Sequence, residues 1–173
     1  MKVSLDIGVP SRLWRGLPRA RAIARETIAA AIAESGGGVN IDRPERASPR
    51  APYGAVVSLC LADDATLRAL NARWRGIDEA TNVLSFPAAP GAGCEAPTLG
   101  DIALAFETLA REAEALAIPL ADRYRHLLAH GFLHLIGYDH QTDGEAERME
   151  ALETRILERL GAADPYARPK VGG

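Results

Sequence analysis

Cysteine is scarce in this chain: Cys60 and Cys94 are the only two, and two thiols make no disulfide framework. Lysine is equally scarce, since Lys2 and Lys170 are the only lysines among 20 basic residues. Long apolar runs are missing as well. The densest stretches, such as GAVVSLCLA, are far too short to cross a bilayer. The opening MKVSLDIGVPSRLWRG has no apolar core followed by a small-residue cleavage site, so no signal peptide is expected and a cytoplasmic location is. There is no positive surplus either. A net charge of −3 and a pI near 5.8 argue against a general nucleic-acid binder, and neither DNA nor a membrane is an expected partner.

What is present is the composition of a soluble globular protein, 47% apolar and 25% charged, with 173 residues to bury a sizeable core. No internal repeat and no second domain is visible, so residues 1–173 are expected to form one domain, with 161–173 as a tail. Arginine supplies nearly all the positive charge. Arg12, Arg15, Arg19, Arg21 and Arg25 crowd one segment, and Arg68, Arg73 and Arg75 another. The planar guanidinium suits phosphate, although a codon bias toward arginine gives the same pattern.

KVSLDIG alternates apolar and polar residues as a first strand does. Pro18 can open a helix through RARAIARETIAAAIAES, with Ile23, Ile28 and Ile32 on its apolar face and Gly36, Gly37 and Gly38 as its stop. RPERASPRAPYG reads as loop, and AVVSLCLA as a buried strand. Asp63 or Asp64 then caps a helix carrying Leu67, Leu70 and Trp74, which ends near Gly76. TNVLSFP is a short strand, AAPGAGCEAPTLG a loop and DIALAF another strand. ETLAREAEALAI and LADRYRHLLAHGFLHLIG read as two helices, and Thr142 with Glu145 forms a capping box that opens the last, through about Leu160. Strands interleaved with helices imply an α/β or α+β fold, a small mixed sheet of about four strands packed by helices.

Within HGFLHLIGYDH, His130, His134 and His140 stand at the H-x3-H-x5-H spacing of the metzincin zinc peptidases, with Gly137 between the second and third. Residues four apart share a helix face about 6 Å apart along the axis, so His130 and His134 can reach one ion. A left-handed turn at Gly137 can return His140 to it. Three neutral nitrogens and an open fourth position describe a catalytic zinc site, and nickel or another divalent transition metal would bind too. The peptidases' glutamate is replaced by Gly131, which removes their proton acceptor. Glycine inside a helix costs roughly 1 kcal/mol against alanine, and a close approach by backbone or a bulky substrate would account for it. His126, one turn earlier, reads as packing or as a substrate contact; Asp139 as a group orienting a ligand ring or as a solvent-facing turn residue.

A second stretch, LNARWRGIDEATNVLSFP, joins a helix to a strand. Arg75 at its turn suits a phosphate clamp, but on composition alone a solvated arginine favoured by the helix dipole is the preferred reading. Asn71, Thr81, Asn82 and Ser85 surround it. With LGDIAL, HGFLHLIGYDH and the tail EAERMEALETRILERLG followed by DPY, this stretch resembles the YbeY family of bacterial endoribonucleases over roughly residues 54–166. Against that pattern, residues 43–52 look like a loop elaboration.

The resemblance implies a metal-dependent endoribonuclease, usually zinc-bound and specific for single strands. It would mature the ends of small-subunit (16S) ribosomal RNA and serve late ribosome assembly and quality control. It further implies a fold like a reduced zincin, metal ligands at His130, His134 and His140, and Arg75 and His130 as catalytic residues. The implied partners are ribosomal RNA, the small ribosomal subunit, a small-subunit ribosomal protein and the assembly GTPase Era. A different class of reading is a non-catalytic assembly factor whose metal is a folding staple, with Cys94 as fourth ligand. A peptidase would need a substitute carboxylate such as Glu107 or Asp101.

Overall fold

The first two strand-forming segments become neighbours in one sheet. β1 (Val3–Gly8) and β2 (Ala55–Ala62) pair in parallel from Val3↔Ala55 to Gly8↔Cys60. The structure, a computed structural model, describes residues 3–36, 55–89 and 98–167. Parallel neighbours need a crossover, and helix α1 (Ala20–Glu34) supplies it, burying Ile23 and Ile28 as expected. Gly36 at φ 89° follows its end; Gly37 and Gly38 lie outside the described residues, as do residues 43–52 and Cys94. Helix α2 (Asp64–Arg75), capped by Asp63, leads to β3 (Val83–Pro87), and β3 pairs antiparallel with β4 (Thr98–Ala105). Helices α3 (Phe106–Ala115), α4 (Leu120–Leu135) and α5 (Asp143–Arg159) follow. The strand order β1-β2-β4-β3 gives the expected mixed sheet of four strands, here with five α-helices among the described residues.

Period-two alternation on β4 divides the core between the two faces of the sheet. Ile102 and Leu104 join the large cluster with α1, α4 and α5, while Ala103 and Ala105 join Leu67 and Leu84 under α2. Two boundaries differ from the sequence expectation. β4 begins at Thr98 rather than Asp101, because it must match eight-residue β2, and Phe106 already belongs to α3. The added start holds a bulge between the Val56↔Thr98 and Val57↔Gly100 pairs. Gly100 takes φ 133° there, where a side chain would run into the Phe86 carbonyl oxygen.

A 3-10 turn over Arg12–Gly16 carries no periodicity and was not expected. It buries Trp14, whose indole N–H donates to the Ala62 carbonyl at 2.8 Å and whose ring meets Tyr124 edge-on at 5.1 Å. The arginines around it are partly committed to the fold: Arg21 donates to the Ile7 carbonyl at 2.9 Å and Arg19 pairs with Glu26 at 3.1 Å. Trp74 departs from its expected place on the buried face of α2. It overhangs the helix end at 62% exposure, tilted against Phe86 and covered by the Arg73 guanidinium 5.1 Å from its ring.

Two capped helix ends bracket the segment that carries His140. α5 starts in the expected capping box, with the Thr142 side chain accepting from the Glu145 amide and the Glu145 carboxylate accepting from the Thr142 amide. Thr142→Ala should cost about 1 kcal/mol, read as a lower midpoint in urea unfolding. α4 ends in a Schellman turn: the Gly137 amide donates to His134 O at 3.1 Å and the Tyr138 amide to Leu133 O at 3.0 Å, with Gly137 at φ 98°. The chain then runs back toward the helix through Asp139 and His140.

Candidate metal centre

His130 and His134 sit one turn apart near the end of α4, and the Schellman turn returns His140 to them. One nitrogen from each ring lies within 4.8 Å of the other two, and no other His, Cys, Asp or Glu among the described residues joins the trio. The Nε2 atoms of His130 and His134 are 3.1 Å apart. Two ligands about 2.0–2.1 Å from one tetrahedral ion stand about 3.3 Å from each other, so this pair is already at ligand spacing. His140, exposed on the loop after α4, has its ring centroid 5.6 Å from that of His130 and 5.0 Å from that of His134.

The far side of each helical ring is committed. His134 Nδ1 donates to the Tyr138 carbonyl at 3.0 Å, and His130 Nδ1 to Glu153 Oε1 at 2.8 Å. A carbonyl and an ionised carboxylate only accept, so both protons sit on Nδ1 and both Nε2 lone pairs face the common point. Converging lone pairs fit a cation. Burial first, and then the neighbouring His130 and His140, lower the His134 pKa and favour the neutral ring that ligates metal.

Glu153 is what the sequence reading missed. It is 1% exposed and accepts from His130 Nδ1, from His126 Nε2 at 2.8 Å and from the Tyr166 hydroxyl. Burial alone would raise its pKa, but hydrogen bonds from His126, His130 and Tyr166 outweigh burial and hold it at about 2. Asp164 aims Tyr166 from the segment after α5, accepting from Thr154 Oγ1 at 3.1 Å and from the Tyr166 amide at 2.9 Å. A signal for Glu153 existed: Met149, Leu152 and Ile156 mark a buried stripe on α5, and an acid inside such a stripe calls for a partner. A pocket of about 100 Å³ lies between His130, His140 and the α5 face of Ala146, Met149 and Glu150.

The remaining candidates fall elsewhere. His126 is buried and held by Glu153 on one side and Arg123 on the other, so of its two readings packing fits and substrate contact does not. Asp139 accepts from the His140 amide at 2.8 Å and orients that backbone, while Glu153 and the Tyr138 carbonyl orient the rings. Arg75 is exposed at the last position of α2, across the sheet from α4, with no hydrogen bond or ion pair among the described residues. Arg68, by contrast, pairs with Asp78 at 2.7 Å. The substitute carboxylates for a peptidase are not at the trio. Glu107 accepts from the Asp64 amide at 3.0 Å, and Asp101 alternates with Ile102 onto the α2 face.

Gly131 owes its place to packing. A Cβ there would lie 3.2 Å from Ile102 Cγ2 and 3.3 Å from Val83 Cγ2, so α4 rests directly on two sheet side chains. The close approach is by these side chains and not by backbone or substrate.

Three imidazoles that converge where α4 ends, on a domain with a four-stranded mixed sheet, form a cluster that could hold a metal ion. A family model described as endoribonuclease YbeY matches residues 43–161, and the chain belongs to that family. Curated relatives named endoribonuclease YbeY include one from Methylocella silvestris, 43% identical over 98% of this chain and 89% of its own. Another, from Nitrobacter winogradskyi, is 50% identical over 95% of this chain and 83% of its own. The solution structure of TM1509 from Thermotoga maritima has the same fold, with TM-score 0.55 at 18% identity, covering 96% of this chain and all 100% of that one.

Proposed function

We propose that this chain is a metal-dependent endoribonuclease acting on single-stranded segments of ribosomal RNA, with His130, His134 and His140 holding one divalent ion, zinc in the first instance. The observation that carries the reading is the convergence of two Nε2 lone pairs whose rings are each tied from behind. The chemistry such an ion supplies is Lewis acidity toward a phosphate oxygen and a lowered pKa for a nearby water. The protein's own part is to aim the rings of His130 and His134 from behind, and among the described residues no fourth His, Cys, Asp or Glu joins the trio. Gly131 stands where the peptidases carry their glutamate, which fits a reaction at phosphate, where offsetting negative charge matters more than a carboxylate base. Among the described residues Glu150 is a carboxylate that lines the pocket beside His130 and His140.

Arg75, which stands across the sheet from α4, is the group we assign, following the family likeness, to a phosphate of the bound strand. It is permanently charged, exposed and uncommitted among the described residues, as a clamp for a flexible strand must be. Arg75→Glu should lower cleavage of a labelled single-stranded RNA about a hundredfold, with zinc affinity and thermal midpoint unchanged. Undiminished cleavage would remove Arg75 from the mechanism. Analysis of the product ends, cyclic phosphate or not, distinguishes attack by the 2′-hydroxyl from attack by water.

The remaining assignments follow the family. They are a role in maturing 16S ribosomal RNA ends, in late assembly and in ribosome quality control, with the small subunit, one of its proteins and Era as partners, in the cytoplasm. Residues 1–173 would act as one domain. No described helix is long and apolar enough to cross a membrane.

A further inference from the structure

The ring behind the metal position is itself held by a hydrogen-bonded line that runs the width of α3, α4 and α5. At its far end Asn82, at the entry to β3, donates from Nδ2 to the Glu112 carboxylate at 3.0 and 3.1 Å. Arg123 donates to the same carboxylate from Nε at 2.9 Å and from Nη2 at 2.7 Å. Its remaining nitrogen, Nη1, lies 3.0 Å from His126 Nδ1. A guanidinium never accepts and does not lose its proton in proteins, so His126 Nδ1 must present its lone pair. The proton of His126 therefore sits on Nε2 and is donated to Glu153 Oε2 at 2.8 Å. With Oε2 also taking the Tyr166 hydroxyl, the carboxylate turns Oε1 to His130.

We propose that Arg123 sets the tautomer of His126, whose Nε2–H then holds Glu153 with Oε1 turned to His130 and so aims the His130 Nε2 at the metal position. Arg123 is a positioning residue, touching neither ligand nor substrate. The line has one direction because its only group that can donate but not accept stands in the middle of it. Glu112 Oε2 accepts from both Nε and Nη2 of Arg123 and Asn82 fixes Glu112, so the guanidinium is held facing His126. The carboxylate then has no lone pair opposite it and no proton of its own to place. This line also gives Asn82 a purpose: it ties the start of β3 to the metal ligand, where Val83 already presses on α4.

The proposal rests on the metal reading of the trio, and its test separates the two. Long-range ¹H–¹⁵N spectra of the metal-free protein report imidazole tautomers directly. His126 should appear as the Nε2–H form and His130 as the Nδ1–H form; His126 as the Nδ1–H form overturns the proposal without any variant. Arg123→Met should mix the His126 tautomers and weaken zinc binding about tenfold in competition with a chromophoric chelator, and Glu153→Gln should weaken it about 10- to 100-fold. Arg123→Lys keeps a donor-only cation and should restore the single His126 tautomer. Unchanged tautomers and zinc affinity in a folded Arg123→Met protein also overturn it. Wild-type protein that binds no zinc overturns the metal reading itself, while the metal-free tautomers still decide the line.

Discussion

His130→Ala is expected to lower zinc affinity more than a hundredfold and, with it, to reduce RNA cleavage to the level seen with excess chelator. Apparent binding energies of structural zinc, about 10–16 kcal/mol over four ligands, amount to about 3 kcal/mol for each, and about 1.4 kcal/mol is tenfold. A second consequence separates His130 from its neighbours. Its Nδ1–H is one of three donors on buried Glu153, and a hydrogen bond to a charged group is worth about 1.5–3 kcal/mol. Water entering the space of the lost ring will recover part of that, so the loss of folding stability should be about 1–2 kcal/mol. His134→Ala removes a ligand of the same kind but leaves Glu153 with all its donors, since the His134 Nδ1 proton goes to the Tyr138 carbonyl. Both variants should lose zinc and cleavage together; only His130→Ala should also unfold at lower urea. Cleavage that survives in both, insensitive to chelator, would detach the activity from this site.

The asymmetry between these two histidines shows where a sequence can be read and where it stops. The meeting of the three histidines was legible because its constraints are local: four residues make a helical turn, and glycine at 137 makes the reversal. The capping box of α5 and the stops of α1 and α2 were legible for the same reason. Glu153 lies 23 residues from His130 and 27 from His126, and nothing in local periodicity joins them. Their meeting depends on how α5 crosses α4, which is fixed by packing in the shared core. Trp14 was hidden by the same limit, because a single-turn 3-10 segment has no period and its partner Ala62 is 48 residues away. Family likeness brought in Arg75, which composition alone favoured as a solvated cation over a clamp. Its exposure and lack of partners among the described residues suit the clamp, yet those properties come from where α2 ends on the far side of the sheet.

Gly131 poses the sharpest test of how this site differs from a peptidase with the same histidine spacing. Restoring the glutamate by Gly131→Glu should unfold the protein rather than confer peptide hydrolysis. The Cβ would start 3.2 Å from Ile102 Cγ2 and 3.3 Å from Val83 Cγ2, pointing at the sheet. Overpacking of this kind costs about 1–3 kcal/mol, and an unpaired carboxylate driven into an apolar contact costs several more. Their sum is comparable with the whole stability of an ordinary domain, about 5–15 kcal/mol. Gly131→Ala isolates the steric part. Its methyl group needs a shift of a few tenths of an ångström from two side chains, while alanine gains about 1 kcal/mol of helix propensity, so its melting point should stay near that of the wild type. The pair of variants therefore separates crowding from charge. A folded Gly131→Glu protein with an unchanged melting point would mean that α4 can roll on the sheet to release the new side chain. The glycine would then be a mark of lost peptidase chemistry rather than a requirement of helix–sheet packing.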